Sequence, residues 1–206
     1  MKVLLFDLGG VVINWTGLQE MQKLLKGSFE LEEIRLKMVA NDKIKQFEKG
    51  QCSAEDFAQS FIADFNLPFE PHEFLGVWAS WVGKPYEGVW DKLNSLKSDF
   101  KLVCVSNTNE VHWHQLLTEI GIEDIFEHCY ASHLLHMSKP DPGVFETILA
   151  DLDVAPEDVC FFDDATENIV AAEAFGLHAL IVDAEIGVLP VLEAGSFFKE
   201  LKGCKP

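Results

Sequence analysis

At 206 residues the chain has the length for one well-buried core with a smaller insert, and is short for two independent domains. Apolar residues make up 48% of it and charged ones 24%, so it is expected to fold throughout, with no disordered tract. The formal net charge of −18, from 34 acidic and 16 basic residues with Arg35 the lone arginine, argues against nucleic acid as a partner, because holding a phosphate backbone takes clustered lysine and arginine.

The chain opens on an apolar run at 3–6 that ends at Asp7, too short for a signal peptide or a membrane span. Residues 15–84 carry no strand pattern but several amphipathic helical ones, including Ser53-Ala-Glu-Asp56, a capping-box-like start before Phe57, Phe61 and Ile62. This stretch is read as a helical lid or cap, with Phe47, Phe57, Trp78 and Trp81 in its own core. Beyond it, apolar runs at 102–105, 129–131, 159–162 and 179–182 predict strands buried on both faces of a parallel sheet.

Helices fall between these strands. One carries Val89, Leu93 and Leu96; a second carries Leu116, Leu117 and Ile120 and is closed by Gly121; a third is opened by Pro142; a fourth runs from near Thr166 to Gly176. The alternation predicts an α/β, doubly wound, Rossmann-like fold with a catalytic core at 1–14 and 85–206 and the cap at 15–84. The five cysteines, at 52, 104, 129, 160 and 204, form no C-x-x-C pair, and Cys104 and Cys160 lie inside apolar runs; reduced core thiols and a cytoplasmic protein are expected.

In an open parallel sheet, reactive groups gather at the carboxyl ends of the strands. Four features stand there: Asp7 before Gly9-Gly10, Ser106-Asn107, Lys139 before Pro140, and the adjacent Asp163-Asp164. A carboxylate can attack phosphorus, and a glycine-rich turn lets backbone amides approach the transferring oxygens. Paired acids need a cation or hydrogen bonds to offset their repulsion; Mg²⁺ suits them, and Asn168, about one helical turn on, could orient one of them. Ser106 and Lys139 together can hold a phosphate whose charge builds up during transfer.

The runs FDLGGVV at 6–12, VSNTN at 105–109, SKPDP at 138–142 and FFDDATEN at 161–168 resemble the four motifs of the haloacid dehalogenase-like hydrolase superfamily over essentially the whole chain. They look most like the branch of bacterial glucose-1-phosphate phosphatases and the phosphatase domain of soluble epoxide hydrolase. By position, the resemblance implies that Asp7 is the nucleophile. Mg²⁺ would bind its second oxygen, Asp164 and the Gly9 carbonyl, with Asp163 joining directly or through water. Ser106, the Asn107 amide and Gly10 would bind the phosphoryl group, and Lys139 would pair with both Asp7 and the phosphate.

One position departs from the pattern. Most phosphatases of the superfamily have a second Asp two residues after the nucleophile, as acid and then base; here Gly9 stands there. A good leaving group such as a sugar 1-phosphate, a histidine stand-in (His112 first, then His114 or His136), or slow turnover would each accommodate the loss. Dehalogenation is disfavoured, because no arginine follows the first motif and the acid pair would be idle. A phosphomutase or phosphotransferase, or a binding or regulatory protein on the same fold, are the alternatives to a sugar-phosphate phosphatase. The expected partner is a small phosphate ester, with no membrane association and a monomer or homodimer as the assembly.

Overall fold

The structure is a computed structural model describing residues 2–195. Five parallel strands form the central sheet: β1 (Lys2–Phe6), β4 (Phe100–Ser106), β5 (His128–Ala131), β6 (Val159–Asp163) and β7 (His178–Ile181), in the order β5-β4-β1-β6-β7. The predicted strands are present with ends shifted by up to two residues. Two further strands, β2 (Ile13–Trp15) and β3 (Val82–Pro85), form a separate antiparallel pair.

Period-two alternation explains the layering. Leu4, Phe6, Leu102, Cys104, Cys160 and Phe162 face one apolar cluster, whereas Val3, Leu5, Val103, Val105, Val159 and Phe161 face the other. Helices α6 (Val89–Leu96) and α11 (Leu189–Ala194) pack in the first cluster; α9 (Pro142–Leu152) and α10 (Thr166–Phe175) pack in the second. Asp141 caps α9 by accepting from Gly143 N–H, and Gly176, at φ +102°, ends α10. Helix α7 (Glu110–Gln115) runs on into a π-helical turn at Leu116–Ile120, which Gly121 terminates, so the predicted stripe there is not regular α-helix.

Between β2 and β3 lie α1 (Gly17–Leu24), α2 (Leu31–Ala40), α3 (Asp42–Glu48), α4 (Ala54–Phe65) and α5 (Pro71–Ala79). They enclose a third cluster in which Phe47, Phe57, Phe61, Phe74, Trp78 and Trp81 are buried. Phe57 meets Trp78 at 4.7 Å and Phe61 stacks on Phe74 at 5.1 Å, contacts worth about 0.5–1.5 kcal/mol each beyond their buried area. Ser53 caps α4 as predicted, accepting from Asp56 N–H. The absence of strand within 15–84 is corrected: Trp15 and Val82 pair across the base of the insert. These strands, INW and VGKP, are broken by polar residues, glycine and proline and so form no apolar run.

Helix α8 (Ser132–Leu135) follows β5 directly. Among the described residues, Cys52, Cys104 and Cys129 are free thiols, and no helix is long and apolar enough to cross a membrane. Cys204 lies outside the described residues.

Candidate active site

Strand pairing places the chemistry. Phe6 is level with Cys104 on β4 and Phe162 on β6, and Asp7 N–H continues the ladder to Phe162 O at 2.9 Å. The three strands therefore end together, with Asp7 between Ser106 and Asp163. Asp7 is 8% exposed, Ser106 6% and Asp163 fully buried.

Lys139, from the loop before α9, enters beneath them. Its ammonium donates to Asp163 Oδ2 at 2.6 Å and to Val105 O at 3.2 Å, and lies 2.8 Å from Asp7 Oδ1. Three donors meet three acceptors. Burial alone would lower the lysine's pKa, but Asp7 and Asp163 together hold it above the usual value, so it stays charged. Asn107 fixes the lysine's backbone: its Nδ2–H donates to Lys139 O and its Oδ1 accepts from Lys139 N–H, both at 2.9 Å.

Asp163 is fully engaged, since its Oδ1 accepts from Ala165 N–H at 2.8 Å and from Asn168 Nδ2 at 2.9 Å. Asn168 thus orients the first acid of the pair. Asp164, next along, makes no cap to α10 and opens to solvent. Carboxylate oxygens of Asp7, Asp163 and Asp164 lie within 4.8 Å of one another. Burial, with repulsion from Asp163 and Asp164 and against the pull of Lys139, raises Asp7 to about 7; burial and Asp163 raise Asp164 to about 6. This crowding of carboxylates against a single lysine is a donor set that fits a hard divalent cation.

The loop after Asp7 is tight. Leu8 O accepts from Val11, Val12 and Ile13 N–H, and Gly9 bridges to Ile13. Gly10, expected to bind the phosphoryl group, gives its N–H to Ile13 O at 2.9 Å. Its task is to leave room. At φ +76°, a Cβ there would stand 2.7 Å from Asp164 Oδ2. Gly10→Ala is expected to displace Asp164, destabilise the protein by about 1–2 kcal/mol and raise the half-saturating Mg²⁺ concentration roughly tenfold. Thermal melts and metal titration of activity measure both. A Cβ at Gly9, in contrast, would meet only Trp15, at 3.6 Å.

The histidines lie elsewhere. His112 Nε2 is 2.7 Å from Trp78 O, its Nδ1 is 3.4 Å from Asn109 Nδ2, and its ring stacks on Trp78 at 5.0 Å. Burial lowers its pKa to about 4. It joins α7 to α5 as an imidazole with both nitrogens engaged. His114 is solvent-exposed, and His136 Nδ1 sits 3.1 Å from Lys49 O. Sequence reasoning missed Glu48, at the end of α3, whose carboxyl burial raises to about 7 although Lys139 and Lys49 pull it down. Nothing in the linear order marks it, because it is linked to Lys139 only through the fold.

Comparison with known proteins agrees with this geometry. The family described as haloacid dehalogenase-like hydrolase matches residues 1–176. A sesquiterpene phosphatase of Aspergillus oryzae is 30% identical over 183 residues, which cover 87% of this chain and 88% of that protein. A D-ribitol-5-phosphate phosphatase of Bacteroides thetaiotaomicron is 24% identical over 185 residues, covering 86% and 89%. In fold, the chain is similar to a haloacid dehalogenase family enzyme of Bacteroides thetaiotaomicron solved with magnesium and inorganic phosphate, with a TM-score of 0.76 at 24% identity over 93% of this chain and 98% of that one.

Proposed function

The chain belongs to the haloacid dehalogenase-like hydrolases, and from that premise we propose that it hydrolyses small phosphate monoesters through an aspartyl phosphate formed on Asp7. The observation that carries this reading is the buried Lys139 held between Asp7 and Asp163 at the strand ends, beside Asp164. The free Asp7 oxygen attacks phosphorus, the ester oxygen departs, and water later releases phosphate and restores the carboxylate. Lys139 pulls against the burial that raises Asp7 and offsets charge on the transferring oxygens, while the Ser106 hydroxyl and the Asn107 backbone amide hold those oxygens. Asp7, Asp164 and the Gly9 carbonyl would bind Mg²⁺, with Asp163 behind them directly or through water. When bound, Mg²⁺ supplies positive charge to the phosphoryl oxygens that a chain with one arginine otherwise lacks.

Residues 15–84 act, in this reading, as a cap over the strand ends, and a sugar phosphate is the first candidate ester. The relative named for D-ribitol 5-phosphate supports that choice. The relative named for a sesquiterpene, together with the partly buried Trp15 ring beside Gly9, argues for testing an apolar ester as well.

The test is phosphate release from sugar 1- and 6-phosphates, ribitol 5-phosphate, a prenyl monophosphate and p-nitrophenyl phosphate, with Mg²⁺ and with EDTA. Turnover that requires Mg²⁺ is expected. Protons compete with the cation for Asp7 and Asp164, so the half-saturating Mg²⁺ concentration should rise about tenfold as pH falls from 8 to 6. Turnover unaffected by EDTA, or none with any ester, would overturn the reading.

A further inference from the structure

With Gly9 in place of an acid and His112 occupied, the reaction proposed above lacks a proton donor for the leaving oxygen. The turn that ends α3 carries a carboxyl, Glu48, and is seated against the loops of the site. Ser132 Oγ lies 2.5 Å from Glu48 O, to which it donates, and accepts from Thr108 N–H at 2.8 Å. His136 Nδ1 lies 3.1 Å from Lys49 O. Gly50, at φ +63°, is so close to α8 that a Cβ would stand 2.6 Å from His133 O. The chain on both sides of the Glu48 side chain is thus seated on two loops. One carries Ser106 two residues before Thr108; the other carries Lys139 three residues after His136.

Glu48 is a half-buried residue whose carboxyl has no hydrogen-bond partner among the described residues. Lys139 and Lys49 are the charged groups whose fields reach it. Burial outweighs both and raises the carboxyl to about 7, so near neutrality it is present in both the acid and the base form.

We propose that Glu48 is the general acid and base of this site, a role that rests on the phosphatase reading. As Asp7 oxygen bonds to phosphorus and the ester P–O bond breaks, the Glu48 proton passes to the leaving oxygen. The resulting carboxylate then takes a proton from water as that water bonds to phosphorus. The P–O bond to Asp7 breaks, and phosphate, a free Asp7 and a protonated Glu48 remain.

Glu48→Gln and Glu48→Asp test this on p-nitrophenyl phosphate, whose leaving group departs without a proton, and phenyl phosphate, whose leaving group needs one. For Glu48→Gln, kcat/KM for phenyl phosphate should fall about 10²–10³-fold while that for p-nitrophenyl phosphate changes only a few-fold. With p-nitrophenyl phosphate the same variant should release a burst of one nitrophenolate per active site before slow turnover, because the second step has lost its base. Glu48→Asp, which keeps the carboxyl but shortens its reach, should show the same split at smaller size, with thermal midpoints within a few degrees of wild type. Equal losses on both esters without a burst would make Glu48 structural and overturn the proposal. If wild type turns over both esters and the variants match it, the role of Glu48 alone falls. If wild type turns over neither, the phosphatase reading falls with it.

Discussion

Asp7→Asn is expected to leave a folded protein whose phosphate release is below about 10⁻⁴ of wild type, the scale of loss seen when a covalent nucleophile is removed. The exchange is isosteric, and Lys139 retains Asp163 Oδ2 and Val105 O as acceptors, so the architecture has no reason to fail. Stability should even favour the variant in metal-free buffer. The folded Asp7 carboxyl is raised from 3.8 to about 7, so its contribution to stability is fully present below about pH 4 and is lost as pH rises through 7. At pH 8 an ionised Asp7 opposes folding, and asparagine removes that opposition. Thermal melts with and without Mg²⁺, run beside phosphate release, test both halves. Retention of more than a few per cent of activity by the purified variant would rule out the nucleophile assignment.

Lys139→Met should produce the largest loss of stability, about 3–5 kcal/mol, because it strands two buried carboxylates that one ammonium now serves. With the lysine gone, the folded pKa of Asp7 moves further up. The deficit should therefore be smaller near pH 5, where Asp7 can hold its proton, and grow as pH rises toward 8. Urea denaturation at those two pH values reads it directly; a loss independent of pH would mean that packing, not charge, is the lysine's contribution. Turnover should drop at least 10³-fold even where the variant is folded. Arginine is no substitute, since the ammonium occupies a space set by three acceptors at 2.6–3.2 Å and a planar guanidinium does not fit three converging contacts.

The sheet and its motif-bearing ends were legible because the signals are local. A strand buried on both faces reads as an unbroken apolar run, and a carboxylate standing where the run stops, as at Asp7 and Asp163, is visible from its neighbours alone. What stayed hidden depends on distant partners. Gly10 looks like a phosphate-binding glycine until Ile13 O and Asp164 are placed against it. His112 follows the second motif closely in sequence, yet its ring turns to Trp78, which comes from α5 far earlier in the chain. The side chain of Asn107 looks like one more polar loop residue, and only the fold shows it bonded to the backbone of Lys139. The β2–β3 pair escaped notice because its strands, INW and VGKP, carry no unbroken apolar run.

That pair has a consequence for how such a molecule changes over generations. Thr16 N–H and Thr16 Oγ1 both donate to Trp81 O at 3.1 Å, so the segment between them leaves and rejoins the body of the protein at one spot. A hairpin base is closed in the same way whatever hangs from it. Insertions or deletions in residues 17–80 that keep the contacts of Glu48, Lys49 and Trp78 with the core leave the order and register of the five parallel strands in place. On the proposed reading, choice of ester and cleavage of ester are separable inheritances, with one exception: an exchanged segment that failed to bring a proton donor back to the place of Glu48 would inherit Asp7 without its proposed partner.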